Sequence, residues 1–201
     1  MDIVAVTGSV LAAFGLSGAA GLNAWIPLLA TGILQRTGAI HLDDPYDVLG
    51  ENTALAVMGV CFVLDFVGDK IPAIDHVLHA IGAVIAPVSG AIVFAGQTES
   101  ATDIAVVASL VAGALVAEGV HAGRASVRPM STAGTAGAGN PLLSFGEDVV
   151  SLFITAVAFI APLIAFLLVV AMLVAMGFSA RAVWRRLRSR REARAARAPA
   201  G

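Results

Sequence analysis

Residues 3–34 read IVAVTGSVLAAFGLSGAAGLNAWIPLLATGIL. The stretch carries no charged side chain. A membrane's hydrocarbon layer is about 30 Å thick and takes roughly 20 helical residues to cross. Residues 3–34 are too many for one untilted span, and Ser17-Gly18-Ala19-Ala20-Gly21 interrupts them. Glycine costs about 1 kcal/mol inside a helix, so two this close favour a break or a tight helix crossing. The expected structure is one helix near 3–17 and a second near 21–36.

The same reading extends along the chain. Residues 38–51 contain Asp43, Asp44, Pro45 and Asp47 and read as a polar connection. A third span covers about 52–68 and ends at Gly68-Asp69-Lys70-Ile71-Pro72. A fourth runs from near Asp75 to Phe94, with Pro87 inside it, and a fifth covers about 104–122. Gly123 to Gly139 reads as a loop rich in small residues. The last apolar region, 142–178, is again too long for one span. Pro162 divides it, because proline lacks a backbone donor and clashes with the preceding turn. The fold class expected is all-α: a polytopic transmembrane helix bundle of six or seven spans with broken helices. Residues 1–180 form the membrane domain and 181–201 a basic tail.

Composition agrees. Hydrophobic residues make up 58% of the 201, and the mean hydropathy is +0.90. The net charge of −2 conceals an asymmetry, because eight of the 12 Lys and Arg residues lie between Arg181 and Arg197. A basic run attracts phosphate polymers. Directly after a hydrophobic span, however, it marks the cytoplasmic side and sits against anionic lipid, so no nucleic-acid partner is expected. This puts the C-terminus in the cytoplasm of a bacterial inner membrane, with the acidic segments 38–51 and 97–103 outside. Arg36 is the exception to the charge rule. The apolar N-terminus has no basic region before it and reads as a retained span, not a cleaved signal. The single cysteine, Cys61, is too isolated for a disulfide or a metal framework.

Two short echoes suggest an internal repeat. Gly21-Leu22-Asn23 before Pro27-Leu28-Leu29 resembles Gly139-Asn140-Pro141-Leu142-Leu143. Asp65 to Lys70 resembles Glu118 to Arg124, an acid followed by a base. Such echoes occur where two repeats surround a site at the membrane midplane.

Ionisable groups inside membrane spans are costly and mark functional sites by default. Asp65 and Asp69 share a helix face. They read either as ion-paired with Lys70, locking helices together, or as carboxylates that carry a proton or cation. Asp75, His76 and His79 open the fourth span. They suit metal binding, proton transfer or, for Asp75, helix capping. Glu118 and His121 form Glu-x-x-His, which needs a second copy to build a dimetal site. A pairing of Glu118 with Arg124 or Lys70 is simpler. Arg124 and Arg128 have the spacing to hold one anionic group if that stretch is helical. Asn23 and Asn140 adjoin glycines at expected helix breaks. Broken helices expose backbone groups to substrate or water. The alternative is a close crossing with the asparagine as interhelical glue. Ser144, Glu147 and Asp148 follow Asn140, and Ser144 shares a face with Asp148.

These motifs resemble the DUF4126 family of bacterial integral membrane proteins, whose function is unassigned. The resemblance rests on Gly21-Leu22-Asn23-Ala24-Trp25-Ile26-Pro27-Leu28-Leu29 and on Asp69-Lys70-Ile71-Pro72-Ala73-Ile74-Asp75-His76. It rests also on Arg124 through Asn140-Pro141 to Ser144-Phe145-Gly146-Glu147-Asp148. It implies a membrane fold over roughly residues 10–175 and brings no substrate. Gly68-Asp69-Lys70 is also similar to the Glu-x-Gly-Asp-Lys signature of a cation/proton exchanger family. Here Phe66 stands where that signature has Glu, and the nearest acid is Asp65.

No nucleophile or phosphate-cradling motif is present, so no enzyme activity and no cofactor are expected. The leading expectation is a small transporter or channel-like protein for an ion or small solute. A scaffold or accessory subunit, or a membrane-embedded enzyme acting on lipid headgroups, are the alternatives. Small-residue faces permit a homodimer.

Overall fold

The computed structural model describes residues 3–98, 102–135 and 139–195. Among them are seven α-helices and one short 3-10 turn. The helices are α1 (Ile3–Leu22), α2 (Trp25–Thr37), α3 (Asn52–Gly68), α4 (Pro72–Gln97), α5 (Asp103–Thr135), α6 (Asn140–Ile160) and α7 (Pro162–Ala195). The 3-10 turn, Tyr46–Gly50, lies before α3. The all-α bundle expected from the sequence is what forms.

Five helices are long and apolar enough to cross a membrane: α1, α6 and the segments Val77–Gln97, Asp103–Ser126 and Pro162–Arg185. The chain is a multi-pass membrane protein. The α2 helix has 13 residues and α3 has 17, short of the roughly 20 that span the hydrocarbon. Together with the five, they account for the seven segments expected.

The C-terminal half of α1 is the centre of the bundle. It packs against α4, α5, α6 and α7, and Ala13, Leu16, Ala19 and Ala20 are wholly buried. The glycines of this helix mark close contact and not a break. A Cβ on Gly21 would strike the Ala117 carbonyl and lie 2.6 Å from Val120 Cβ. The helix therefore runs through Gly18 and Gly21 and stops at Asn23, two residues beyond the expected interruption. Small residues that let backbones approach are the usual device of helix packing in lipid. Gly90 of α4 and Gly113 of α5 do the same for that pair, each backbone filling the space of the other's missing side chain. Phe14 joins three helices, edge-on to Phe94 at 5.1 Å and to Phe166 at 5.4 Å.

A second departure concerns residues 123–135, expected as a loop. They continue α5. Gly123 packs against Met176 of α7, where a Cβ would come within 2.9 Å of Met176 Cβ. That contact overrides the weak helix propensity of glycine. Pro162 does divide the last apolar region, between α6 and α7, and the basic segment continues α7 to Ala195. The polar connection after α2 is also as expected. It starts at Gly38, whose φ of 75° lets its N–H and that of Ala39 close the helix onto Gln35 and Leu34. Gln35 then accepts from the Leu42 N–H at 2.8 Å, and buried Leu42 pins the segment.

Candidate functional site

Asn23 sits in the break between α1 and α2 and is 3% exposed. Its Oδ1 accepts from the backbone N–H groups of Trp25 at 3.0 Å and Ile26 at 3.3 Å. Those are donors with no partner inside a starting helix, so Asn23 caps α2. Its Nδ2 donates to Asp148 Oδ1 of α6 at 2.8 Å and to Asp65 Oδ2 of α3 at 3.2 Å. Carboxylates accept and backbone N–H groups donate, so these four partners fix which way the amide points. Pro27 follows inside the first turn of α2, where a missing N–H costs nothing.

Two cations complete the cluster. Lys70 Nζ donates to Asp148 Oδ2 at 3.3 Å and lies 3.7 Å from the centre of the Phe66 ring. Arg124 Nη1 donates to Glu147 Oε2 at 3.2 Å and to the Leu22 carbonyl. The second bond puts a positive charge at the C-terminal end of α1, where the helix dipole favours it. Glu147 and Asp148 are adjacent on α6, yet each faces its own cation. The pairings differ from those expected: Lys70 meets Asp148 and not Asp65, and Arg124 meets Glu147 and not Glu118. The carboxylate oxygen Glu118 Oε2 is buried with no hydrogen-bond partner among the described residues.

A cavity of about 170 Å³ adjoins the break. Asn23, Asp65, Asp69, His79 and Arg124 line its polar part; Trp25, Cys61, Leu64, Leu78 and Ile81 are among its apolar walls. Asp69 is 8% exposed. His79 of α4 stacks on His121 of α5, with ring centres 4.8 Å apart. Gly82 makes room for them, because a Cβ there would stand 2.9 Å from His121 Cε1 and 3.7 Å from Arg124 Nη2. Of the sequence candidates, the structure thus gathers Asn23, Asp65, Asp69, Lys70, Arg124, Glu147 and Asp148.

Asn140 and Ser144 are buried on the same face of α6 as Asp148 and are not among the residues lining the cavity. Asn140 is the first residue of α6, next to Gly139 and five residues after the end of α5. The side chains of Asp75, His76 and Arg128 lie outside the described residues. No group of three or more His, Cys, Asp or Glu able to hold a metal occurs among the described residues.

Sequence reasoning passed over several contributors. Ser151 and Thr155 extend the buried face of α6 that carries the sequence candidates Asn140, Ser144 and Asp148, making five residues. Their spacing of four, four, three and four residues is a helical period visible in the sequence. Ser151 Oγ donates to the Ala19 carbonyl at 3.0 Å. Ser17 donates to the Gly90 carbonyl at 2.9 Å, and Ser89 to the Ala24 carbonyl at 2.7 Å. Trp25 enters the sequence reading only as part of the family motif, and Gly82 does not enter it at all; tertiary placement brings both to the cavity.

No curated protein and no solved structure matches the chain. One family does, over residues 10–182, and it is described as a domain of unknown function. That span takes in α2 through α6, every residue of the cluster and the Pro162 division, and so the chain belongs to the DUF4126 family.

Proposed function

We propose that the protein is a small transporter or channel-like protein for an ion or small solute, with its site at the α1–α2 break. The observation that carries this is the Asn23 amide bridging Asp65 and Asp148 beside a cavity. A helix broken at membrane depth is tolerated where its backbone is buried in protein or lines a cavity. Carboxylates there are costly to keep and mark ion and solute pathways. The protein acts by binding and passage, not by catalysis. It works in the bacterial inner membrane with the Arg-rich end of α7 in the cytoplasm, against anionic lipid. Small-residue faces allow it to act as a homodimer.

One observation favours a second reading, a scaffold held by polar locks. All four hydrogen-bonding positions of Asn23 are used, and both Lys70 and Arg124 are ion-paired. A thermal-stability screen separates the two. The purified protein and Asp69→Asn are heated with inorganic cations, anions, small metabolites and lipid headgroups. A ligand that binds only the folded state raises the midpoint by mass action. The transport reading expects a shift in the wild type that Asp69→Asn loses. No shift with any ligand, and a strongly destabilised Asp69→Asn, would point to the scaffold.

A further inference from the structure

The cavity has two unlike ends. Its inner end is polar, with Asp65, Asp69 and Arg124 around buried Asn23. Its rim carries Leu64 of α3 and Ile81 of α4, which are 64% and 45% exposed on the apolar outside of the bundle. The α3 helix packs chiefly on α2 and only lightly on α4, so the wall between α3 and α4 is where the cavity opens. We infer that the site takes an organic cation with an apolar body, which enters sideways from the bilayer between α3 and α4. This deepens the transport reading above and rests on it.

Charge supports a cation. Among the described residues, the cluster holds four carboxylates, Asp65, Asp69, Glu147 and Asp148, against two fixed cations, Lys70 and Arg124. Its formal balance is therefore negative by two, with the histidines neutral. The walls support an apolar body. An inorganic ion gains nothing from Leu64, Leu78 and Ile81 and would lose hydration passing them. An alkylammonium or aryl-ammonium ion buries its carbon on those side chains and brings its charge to Asp65. Trp25 adds an aromatic wall, and a desolvated cation over such a ring gains up to about 2 kcal/mol. The volume suits part of such a molecule: at about 170 Å³ the cavity is smaller than sites that enclose drug-sized ligands. The head group is held inside and the apolar remainder extends through the rim.

Cys61, the chain's one cysteine, lines the cavity and serves as a native reporter. The full-length protein in detergent is treated with a cationic methanethiosulfonate reagent bearing ethyltrimethylammonium and with an anionic one bearing ethylsulfonate. Benzyltrimethylammonium is the competing ligand. The cationic reagent is expected to modify Cys61 at least about tenfold faster, as a site of one sign concentrates the opposite charge. Benzyltrimethylammonium should slow that reaction and raise the unfolding midpoint, and Asp65→Asn should narrow the gap between reagents. Leu64→Trp, on the exposed rim, should slow both reagents while leaving the midpoint unchanged, which guards against misfolding of the Asp65 variant. Equal rates for the two reagents, or labelling untouched by Leu64→Trp, would overturn the charge and the route respectively. If benzyltrimethylammonium gives no protection but sodium or potassium raises the midpoint through Asp65, the organic-cation inference falls and the transport reading stands. If no cation protects or stabilises, both fall.

Discussion

Asn23 and Asp148 lie 125 residues apart in sequence and are joined by a 2.8 Å hydrogen bond between buried side chains. The bond ties the break after α1 to the middle of α6. The same amide reaches α3 through Asp65 and caps α2 through its oxygen. One side chain therefore sets the relative position of four helices, and removing it disturbs more than a cap.

This separates two substitutions at position 23. Asn23→Asp keeps an oxygen acceptor for the Trp25 and Ile26 N–H groups but replaces the donor with a third carboxylate. A lost cap alone costs about 1 kcal/mol. An uncompensated buried charge costs about 3–5 kcal/mol. Thermal unfolding in detergent should therefore rank Asn23→Asp below Asn23→Ala. The reverse order would mean that capping, and not the bridge to Asp65 and Asp148, is the larger role.

Lys70 and Asp148 form an ion pair at 3.3 Å with side-chain exposures of 28% and 8%. Lys70→Met leaves the more deeply buried partner uncompensated, and Asp148→Asn keeps one oxygen that can accept from Asn23 but turns the one facing Lys70 into a donor and removes the charge. The double variant should be more stable than the two single losses predict, with a coupling of about 1–2 kcal/mol. A double-mutant cycle from unfolding midpoints measures it. Simple additivity would mean that the pair contributes nothing.

Gly21 and Gly59 offer a matched contrast within two helices. A Cβ at Gly21 meets the Ala117 carbonyl, whereas nothing lies within 4 Å of one at Gly59. Gly59→Ala should stabilise by about 0.5–1 kcal/mol, the ordinary helix gain. Gly21→Ala should destabilise, because the backbone of α5 must move away. Equal effects on the unfolding midpoint would show that α1 and α5 are less closely packed than described.

Gly82→Ala tests the stacked histidines. The added methyl stands 2.9 Å from His121 Cε1, so the His121 side chain must shift, while Arg124 Nη2 at 3.7 Å is in ordinary contact. Ligand-induced stabilisation should fall severalfold, while Gly146→Ala, with open space around it, should leave it unchanged. Unaltered ligand response in Gly82→Ala would mean that the position of His121 does not matter to the site.

Much of this arrangement was legible in the sequence, for a physical reason. Charges in apolar spans are rare enough that Asp65, Asp69, Lys70, Arg124, Glu147 and Asp148 stand out singly, and burial forces them to meet. Which cation meets which carboxylate was not legible. Lys70 lies five residues from Asp65 yet pairs with Asp148, because helix packing and not chain distance decides the partner. Local glycine content misled twice. Gly18 and Gly21 read as a break and are contact points, and Gly123 read as part of a loop and packs on Met176. In both places a neighbouring helix fills the space that a side chain would need, a fact held in another part of the chain. The helix stop itself came from Asn23, whose side chain satisfies the next helix's free N–H groups.

The most direct test of the transport site is flux through protein reconstituted in liposomes. Wild type is compared with Asp65→Asn and Asp65→Glu, each checked for a retained unfolding midpoint, using benzyltrimethylammonium, sodium and potassium as permeants. The account predicts flux of at least one of these cations in wild type, loss in Asp65→Asn and partial recovery in Asp65→Glu. Flux that persists undiminished in a folded Asp65→Asn protein would contradict it.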